Sequence, residues 1–173
     1  MKHPLTWLFA FAFATAALFA TPKEREGKTI VYVDVTCDMF HMGHINFLKK
    51  AKAFGDYLIV GVLPDEEVMT YKRRPVLNLK ERAAMVRACK YVDEVLEGVP
   101  LRRTKEWLLE NNISFVVHGD DFDPATCSDQ YQAAIDLGIF RLVPYTPGIS
   151  TTDIIARIVD RTEDKKFDPQ IAE

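Results

Sequence analysis

Short apolar runs alternate with amphipathic stretches from residue 30 to about residue 160. The run Ile30–Val35 reads IVYVDV, and its β-branched residues predict a strand. Residues 57–63 read YLIVGVL, a continuous apolar run that is typical of a strand buried on both faces. Three more strands are predicted further along the chain, at residues 92–96, 115–118 and 140–143.

Each predicted strand is followed by a stretch with helical spacing. Residues 45–54 carry apolar side chains on one helical face, and Gly55 stands where a helix often ends on glycine. Asn78 and Glu81 form a capping-box pattern for a helix that ends near Lys90. Two further helices are predicted at residues 104–111 and 128–137.

The last predicted helix begins after Ser150, with Asp153 completing a second capping box. We expect its apolar stripe to be buried, and this stripe consists of Ile154, Ile155, Ile158 and Val159. Strands that alternate with helices predict an α/β fold, a parallel sheet with helices on both faces. Ligands of such sheets bind beyond the carboxyl ends of the strands.

The N-terminus departs from this pattern. Residues 5–20 read LTWLFAFAFATAALFA, which predicts a hydrophobic helix ahead of the sheet within residues 1–22. Such a run fits a secretory signal, a membrane anchor of roughly 20 apolar residues, or a start placed upstream of a soluble enzyme. Lys2 precedes the run, whereas Lys23, Arg25 and Lys28 follow it.

This charge bias favours an anchor through residues 5–20 with the remaining domain facing the cytoplasm. The alternative is a soluble cytoplasmic protein. The chain then divides into a linker at residues 23–29, a catalytic domain at residues 30–162 and a tail at residues 163–173.

Composition narrows the classes of function. The 173 residues suffice for one domain with a core, and a net charge of -3 argues against a nucleic-acid partner. Cys37, Cys89 and Cys127 show no C-x-x-C spacing, so we expect neither a disulfide framework nor a metal site built from protein ligands.

The strongest chemical pattern follows the first strand and reads DMFHMGH, residues 38–44. Gly43 allows a tight turn, and a helix that starts beside it directs free N–H groups and a positive dipole end at the same place. Anions bind at such a helix start, and His41 and His44 add hydrogen-bond donors for phosphate oxygens.

A second pattern reads TPGISTTD, residues 146–153, and places hydroxyls and a glycine at another helix start. The capping box explains Ser150 and Asp153, but it leaves Gly148, Thr151 and Thr152 unexplained. Two helix starts at the same sheet edge predict a polyanion site that suits a triphosphate.

HMGH and PGISTTDII together resemble the cytidylyltransferases, whose motifs are H-x-G-H and R-T-x-G-I-S-T-T. GDYLIVGV, PDEEV, ER, KYVDEV and HGDD follow in the order and spacing of that family. The resemblance implies a Rossmann-like fold and transfer of a cytidylyl group from CTP to a phosphorylated small alcohol for phospholipid synthesis. It also implies Mg²⁺ on the CTP phosphates.

The resemblance further implies a set of site residues. His41, His44 and Lys72 match the catalytic positions that grip the phosphates and stabilise the transition state. The nucleotide-binding positions that it implies are Thr36, Cys37, Asp38, Gly43, Asp65, His118, Gly119, Asp121, Thr146, Gly148, Ser150 and Thr151.

HGDD, residues 118–121, is most similar to the ethanolamine-phosphate enzymes, so phosphoethanolamine is the expected acceptor and phosphocholine the next. Those enzymes usually carry two such domains in tandem. A single domain here implies a homodimer, with the KYVDEV segment near the contact.

Two positions differ from the family pattern. Val35 replaces a glycine, and Tyr145 replaces the arginine of the second motif. Arg141, Arg73 and Arg74 are the candidates for the missing charge. Three alternatives stay open: a glycerol-3-phosphate cytidylyltransferase, an adenylyltransferase of the same superfamily, and a nucleotide-binding homologue without activity.

Overall fold

Five parallel strands form a sheet at the centre of the structure, a computed structural model that describes residues 22–121 and 124–163. Their order across the sheet is β3-β2-β1-β4-β5. The connection reverses direction between β1 and β4, and such a switch point opens a crevice beyond the carboxyl ends of the strands. The strands are β1 (Ile30–Val35), β2 (Tyr57–Val62), β3 (Glu94–Glu97), β4 (Ile113–Gly119) and β5 (Phe140–Val143).

Helices cover both faces of this sheet. Leu48 and Val86 pack against one face, whereas Leu108 and Tyr131 pack against the other. The prediction of a parallel sheet covered on both faces is confirmed. The helices in the described residues are α1 (Pro22–Arg25), α2 (Met42–Lys52), α3 (Asp65–Val68), α4 (Leu79–Arg87), α5 (Lys105–Glu110), α6 (Pro124–Asp136) and α7 (Thr151–Glu163).

The predicted and observed bounds of the elements agree best where residues at the ends of the element mark them. β1 and β5 have the predicted limits, and α4 begins after Asn78 with both bonds of the capping box. The prediction for α2 was wrong by three residues, because His41 caps the helix and Met42 opens it. The short helix α3 was not predicted.

The segment at residues 23–29, interpreted from the sequence as a linker, includes most of the short helix α1. Residues 22–25 form α1, and Arg25 forms an ion pair with Glu94 at 2.5 Å and donates to Asn111 at 3.3 Å. Glu94 also accepts from the hydroxyl of Tyr57. The segment is therefore docked on the amino edge of the sheet.

The hydrophobic helix predicted within residues 1–22 lies, up to residue 21, outside the described residues. Among the helices that the structure describes, none is long and apolar enough to cross a membrane. Most of the predicted tail, residues 164–173, also lies outside the described part, and Glu163 ends α7.

The stripe predicted to be buried on α7 is only partly covered. Ile154 and Ile155 are half-buried, but Ile158 is 49% exposed and Val159 is 48% exposed. Helical spacing predicts which residues share a face. It cannot show how far other elements cover that face, and the second half of this one stays about half exposed.

Candidate functional site

The loop after β1 turns back sharply before α2. Cys37 and Met39 both adopt positive φ angles, 50° and 51°, a backbone conformation that strains residues other than glycine. The carboxylate of Asp38 holds the turn by accepting the backbone N–H groups of Val76 and Leu77 at 3.0 Å. Strain in a loop that its neighbours fix this firmly is common at functional sites.

His41 and His44 cap the start of α2 through their own ring nitrogens. Nδ1 of His41 accepts the backbone N–H of Gly43 at 3.1 Å, and Nδ1 of His44 accepts the backbone N–H of His41 at 3.2 Å. Each neutral ring therefore carries its proton on Nε2. Neither Nε2–H group donates to another of the described residues, so both are placed to donate to a ligand at this helix start.

Burial keeps both rings neutral. Burial first, and then the nearby His41 and Lys72, lower the pKa of His44 to about 4 against the opposing effect of Asp38. The pKa of His41 is also lowered by burial, although Asp153 acts in the opposite direction. The ring centres lie 3.9 Å apart. The pair is a neutral hydrogen-bond donor site at physiological pH.

Gly43 is required by the packing of this corner. A Cβ at that position would lie 2.8 Å from Cε1 of His41 and 3.4 Å from the carbonyl oxygen of Ile149. The first distance is too short for a real contact, and the second shows how closely the loop before α7 approaches α2. The glycine therefore lets the two helix starts meet.

The start of α7 is tied to the β1 loop. The hydroxyl of Thr151 donates to the carbonyl oxygen of Asp38 at 2.8 Å. Ser150 accepts the backbone N–H of Asp153 at 3.1 Å, which confirms the predicted cap. Gly148 has φ +89°, a conformation that favours glycine. The N-termini of α2 and α7 thus face one region, as the two sequence motifs predicted.

Basic residues of the loop after α3 lie beside the same region. Lys72 is close enough to His44 to lower the pKa of that ring, and Arg73 reaches the hydroxyl of Thr152 at 3.5 Å. The hydroxyls of Thr36 and Tyr71 are also 3.5 Å apart. Cations from a loop and N–H groups from two helices therefore surround one polar space.

Arg82 is a buried side chain that joins three loops next to the site. Its side chain is fully buried and donates to the carbonyl oxygens of Thr36, Leu63 and Leu77, at 2.6, 2.8 and 3.1 Å. It also pairs with the carboxylate of Asp65 at 2.5 Å. Sequence reasoning treated this arginine only as part of a family motif and missed its role in joining three loops.

The end of β4 forms the far side of the crevice. Nδ1 of His118 lies 2.9 Å from the carbonyl oxygen of Gly119. A Cβ at Gly119 would lie 2.4 Å from the carboxylate of Asp121, which is exposed. Asp120 accepts the backbone N–H of Tyr145 at 2.7 Å and so joins β4 to the loop that follows β5.

The structure separates the predicted residues into two groups. His41, His44, Gly43, Ser150 and Thr151 come together at the two helix starts. Three other predicted residues make contacts that support the loops instead: Asp38 binds backbone N–H groups, Asp65 binds Arg82, and Cys37 is buried in the core, where burial raises the pKa of its thiol. Thr146 is half-buried next to Tyr145.

Arg141 does not replace the arginine missing at Tyr145. Its guanidinium donates to the carbonyl oxygens of Gly138 and Phe140 and lies 4.9 Å from the ring centre of Phe115. These groups belong to the amino ends of β4 and β5, at the opposite edge of the sheet. The expectation for Arg141 is therefore wrong, and Arg73 is the cation that the structure brings to α7.

Within residues 22–121 and 124–163, no group of three or more histidine, cysteine, aspartate and glutamate side chains is placed to hold a metal ion.

Comparison with known proteins gives a consistent result. The profile of a family described as cytidylyltransferase-like matches residues 32–157. An ethanolamine-phosphate cytidylyltransferase from Dictyostelium discoideum is 44% identical over 92% of this chain and 46% of its own length. A choline-phosphate cytidylyltransferase A from Mus musculus is 44% identical over 80% of this chain and 38% of its own length. The chain thus spans less than half the length of these curated relatives.

Among solved structures, the chain is similar to a lipopolysaccharide core biosynthesis protein from Thermoplasma volcanium. The two share 25% sequence identity and superpose with a TM-score of 0.57. The match covers 71% of this chain and all of the other. This similarity supports the α/β fold described above.

Proposed function

The chain belongs to the cytidylyltransferase-like family, and from this membership we propose that it transfers a cytidylyl group from CTP to a phosphorylated small alcohol. Phosphoethanolamine is the first candidate acceptor, because four ethanolamine-phosphate cytidylyltransferases are 40–44% identical to the chain. Phosphocholine is the second. The CDP-alcohol product would serve phospholipid synthesis.

In the proposed reaction a phosphate oxygen of the acceptor attacks the α-phosphorus of CTP. A new P–O bond forms on one side while the bond to the bridging oxygen breaks on the other, and pyrophosphate leaves with the negative charge. Nothing needs to be attached covalently to the protein. The residues must align the reactants and stabilise the charge that moves to the leaving group.

The observation that carries this proposal is the meeting of two helix starts around two neutral histidines. Thr151 of α7 bonds to the backbone of Asp38, while His41 and His44 at the start of α2 hold their Nε2–H groups free for a ligand. Neutral imidazoles donate hydrogen bonds to an oxyanion without needing to release a proton, and helix N-termini add positive potential.

The helix starts contribute only partial positive charge, and Lys72 and Arg73 add two full positive charges beside them. Both belong to the loop after α3, which Asp38 anchors through Val76 and Leu77. A flexible lysine can follow the triphosphate as charge shifts towards pyrophosphate. We place Lys72 on the phosphates for this reason, and Arg73 near Thr152 at the start of α7.

We propose that Mg²⁺ binds at the site as a complex with the nucleotide. When bound to CTP it would neutralise phosphate charge. Because the described residues form no cluster of protein ligands, we expect Mg²⁺ to arrive on CTP and no metal to stay after removal of the nucleotide. Equilibrium dialysis with and without CTP measures this directly.

Pyrophosphate release tests the function. CTP with phosphoethanolamine should give turnover, and His44→Ala should lower it by about 10²–10³-fold while the far-ultraviolet circular dichroism spectrum is unchanged. ATP in place of CTP, and glycerol-3-phosphate in place of phosphoethanolamine, test the two enzyme alternatives. Nucleotide binding without any pyrophosphate release would support the inactive homologue.

Two finer properties are also proposed. A homodimer fits the KYVDEV segment, since this segment leads into β3 and includes its first two residues, and β3 lies at the edge of the sheet. Analytical ultracentrifugation measures that state. A membrane anchor at residues 5–20 fits their apolar sequence, and recovery of the full chain in the soluble fraction would contradict it.

A further inference from the structure

A buried cation lies on the carboxylate of Asp34, one residue before the end of β1. Nη2 of Arg103 is 2.8 Å from Oδ1 of Asp34, and the two side chains are 4% and 3% exposed. The hydroxyl of Tyr131 donates to Oδ2 of Asp34 at 3.0 Å. The guanidinium carbon of Arg103 lies 5.3 Å from the ring centre of Tyr32. A carboxylate and an aromatic face thus form a pocket for a cation.

This pocket borders the switch-point crevice. Asp34 lies on the central strand just ahead of the loop that carries the histidines, and Tyr131 belongs to α6, which follows β4. The ring of Tyr131 lies 5.1 Å from that of His118 at the end of β4. The pocket therefore lies between the same two strand ends as the proposed site, on the sheet face that α6 covers.

Arg103 makes fewer hydrogen bonds to backbone carbonyl groups than Arg82, the other buried arginine. Within the described residues, Oδ1 of Asp34, Nη2 of Arg103 and the hydroxyl of Tyr32 lack an aligned hydrogen-bond partner. Arg103 donates to the carbonyl oxygen of Pro100, in an irregular loop, whereas Arg82 makes three such bonds to backbone carbonyls. Incomplete hydrogen bonding makes a buried ion pair a weak source of stability.

The free space is too small for a second cation. The cavity between Tyr32, Arg103, Gln130 and Tyr131 has a volume of about 10 Å³, which is room for about one water molecule. A ligand cation can reach Asp34 only if the guanidinium leaves. The loop between β3 and α5 that carries Arg103 has no regular structure, so its side chain can move without breaking a helix or strand.

Other carboxylates at this edge are less suited to a ligand cation. Asp38 accepts two backbone N–H groups, Asp65 pairs with the firmly held Arg82, and Asp120 accepts the N–H of Tyr145. Asp34 differs because the cation beside it belongs to one side chain, Arg103, whose place a small ligand cation can take. The first candidate acceptor, phosphoethanolamine, carries one such cation beside its phosphate.

We propose that Arg103 is an internal competitor of the acceptor: its guanidinium occupies the position of the acceptor's ammonium group and leaves Asp34 when the acceptor binds. This inference rests on the proposed function, because it takes the acceptor to be a phosphorylated amino alcohol. Arg103 then lowers the affinity for the acceptor without contacting CTP. It acts as a positioning residue and not as a catalytic one.

Steady-state kinetics of Arg103→Ala test the proposal. The KM for phosphoethanolamine should fall about tenfold if the wild-type pocket is open about one-tenth of the time, while kcat and the KM for CTP stay close to wild type. The KM for glycerol-3-phosphate, which has no ammonium group, should not change. Arg103→Lys keeps a cation in the pocket and should restore the wild-type value.

Arg102→Ala is the matched control, because this neighbouring arginine is 69% exposed and pairs with Asp129 on the surface. An unchanged or raised KM for phosphoethanolamine in Arg103→Ala, or an equal fall for both acceptors, would overturn the proposal. Arg103→Gln serves the same comparison if the alanine variant does not fold.

A thermal-shift measurement separates this proposal from the function on which it rests. Without CTP, phosphoethanolamine should raise the Tm of Arg103→Ala more than glycerol-3-phosphate does, and this difference should vanish in Arg103→Ala/Asp34→Asn. That result without any pyrophosphate release would support the competitor and refute the proposed reaction. Turnover without the difference in Tm would refute the competitor alone.

Discussion

His44 shows how a single residue can be prepared for phosphate chemistry. Its Nδ1 is occupied by a backbone N–H, its ring stacks on Phe40 with a centre distance of 5.6 Å, and burial keeps it neutral. The same contacts fix the orientation of the remaining ring N–H. The pKa of this ring is lowered only in the folded state, so the free energy of unfolding should depend on pH.

The pKa of His44 is about 4 in the folded chain, below the ordinary value of 6.5, so the unfolded chain binds more protons between these values. The free energy of unfolding should therefore fall as the pH drops from about 6.5 to about 4, by at most about 3 kcal/mol from this residue. His44→Gln should reduce that slope in urea denaturation. An unchanged slope would mean that His44 is protonated in the folded protein.

Tyr145 leaves open space where a charge would assist the triphosphate. Its side chain is 48% exposed, and within residues 22–121 and 124–163 its hydroxyl donates only to the carbonyl oxygen of Ile149, at 3.5 Å. Tyr145→Arg should therefore fit and lower the KM for CTP by about tenfold, the scale of one charged hydrogen bond. Arg73→Ala should raise that KM by a similar factor.

Arg141→Ala is the control for this pair, since Arg141 lies at the opposite edge of the sheet and should leave the KM for CTP unchanged. If Tyr145→Arg abolishes turnover in a folded protein, Tyr145 has a role of its own. The acceptor assignment would then have to be re-examined before any other conclusion.

At the scale of elements, the sequence predicts those features that depend on residues close together along the chain, such as caps and turns. The caps at Asn78 and Ser150 were predicted because a cap involves residues only three apart, and the H-x-G-H turn was predicted because strand, glycine and helix follow directly. The partners of Asp38 and Asp34 could not be predicted, because they lie 38 and 69 residues further along the chain.

The contact between α2 and α7 gives a prediction at this scale. Gly43→Ala would push the ring of His41 away by steric overlap and would press on Ile149 in the loop before α7. We expect about a 10²-fold loss of kcat/KM, the usual effect of a misplacement of about 1 Å, with little loss of helix content. Circular dichroism and pyrophosphate release measure the two quantities. Near-normal turnover would show that the corner can relax.

At the scale of the whole molecule, the fold extends further towards the N-terminus than the sequence suggested. Apolar periodicity begins at Ile30, but Arg25 closes the amino edge of the sheet by pairing with Glu94 on β3. Nothing in the charged segment itself marks this contact, since an arginine in a linker and an arginine in a buried pair have the same local sequence.

Arg25→Ala should destabilise the protein by about 3 kcal/mol, because it leaves Glu94 buried without its cation. Arg87→Ala is the matched control: its ion pair with Glu97 is half exposed, and its loss should cost less than about 1 kcal/mol. Urea denaturation compares the two variants. Equal losses would show that the docking of α1 contributes nothing beyond a surface contact.

The docking of α1 also sets the edge of the sheet at which the chain enters the domain. The chain enters at the amino edge of the sheet, and the histidines lie beyond the other end of β1, about 20 Å away for a strand of six residues. A support, fusion partner or lipid surface attached ahead of Pro22 therefore meets the back of the domain. Under the proposed function, protein immobilised through its N-terminus should keep the crevice open to diffusing nucleotide, and its turnover should match that of the free protein.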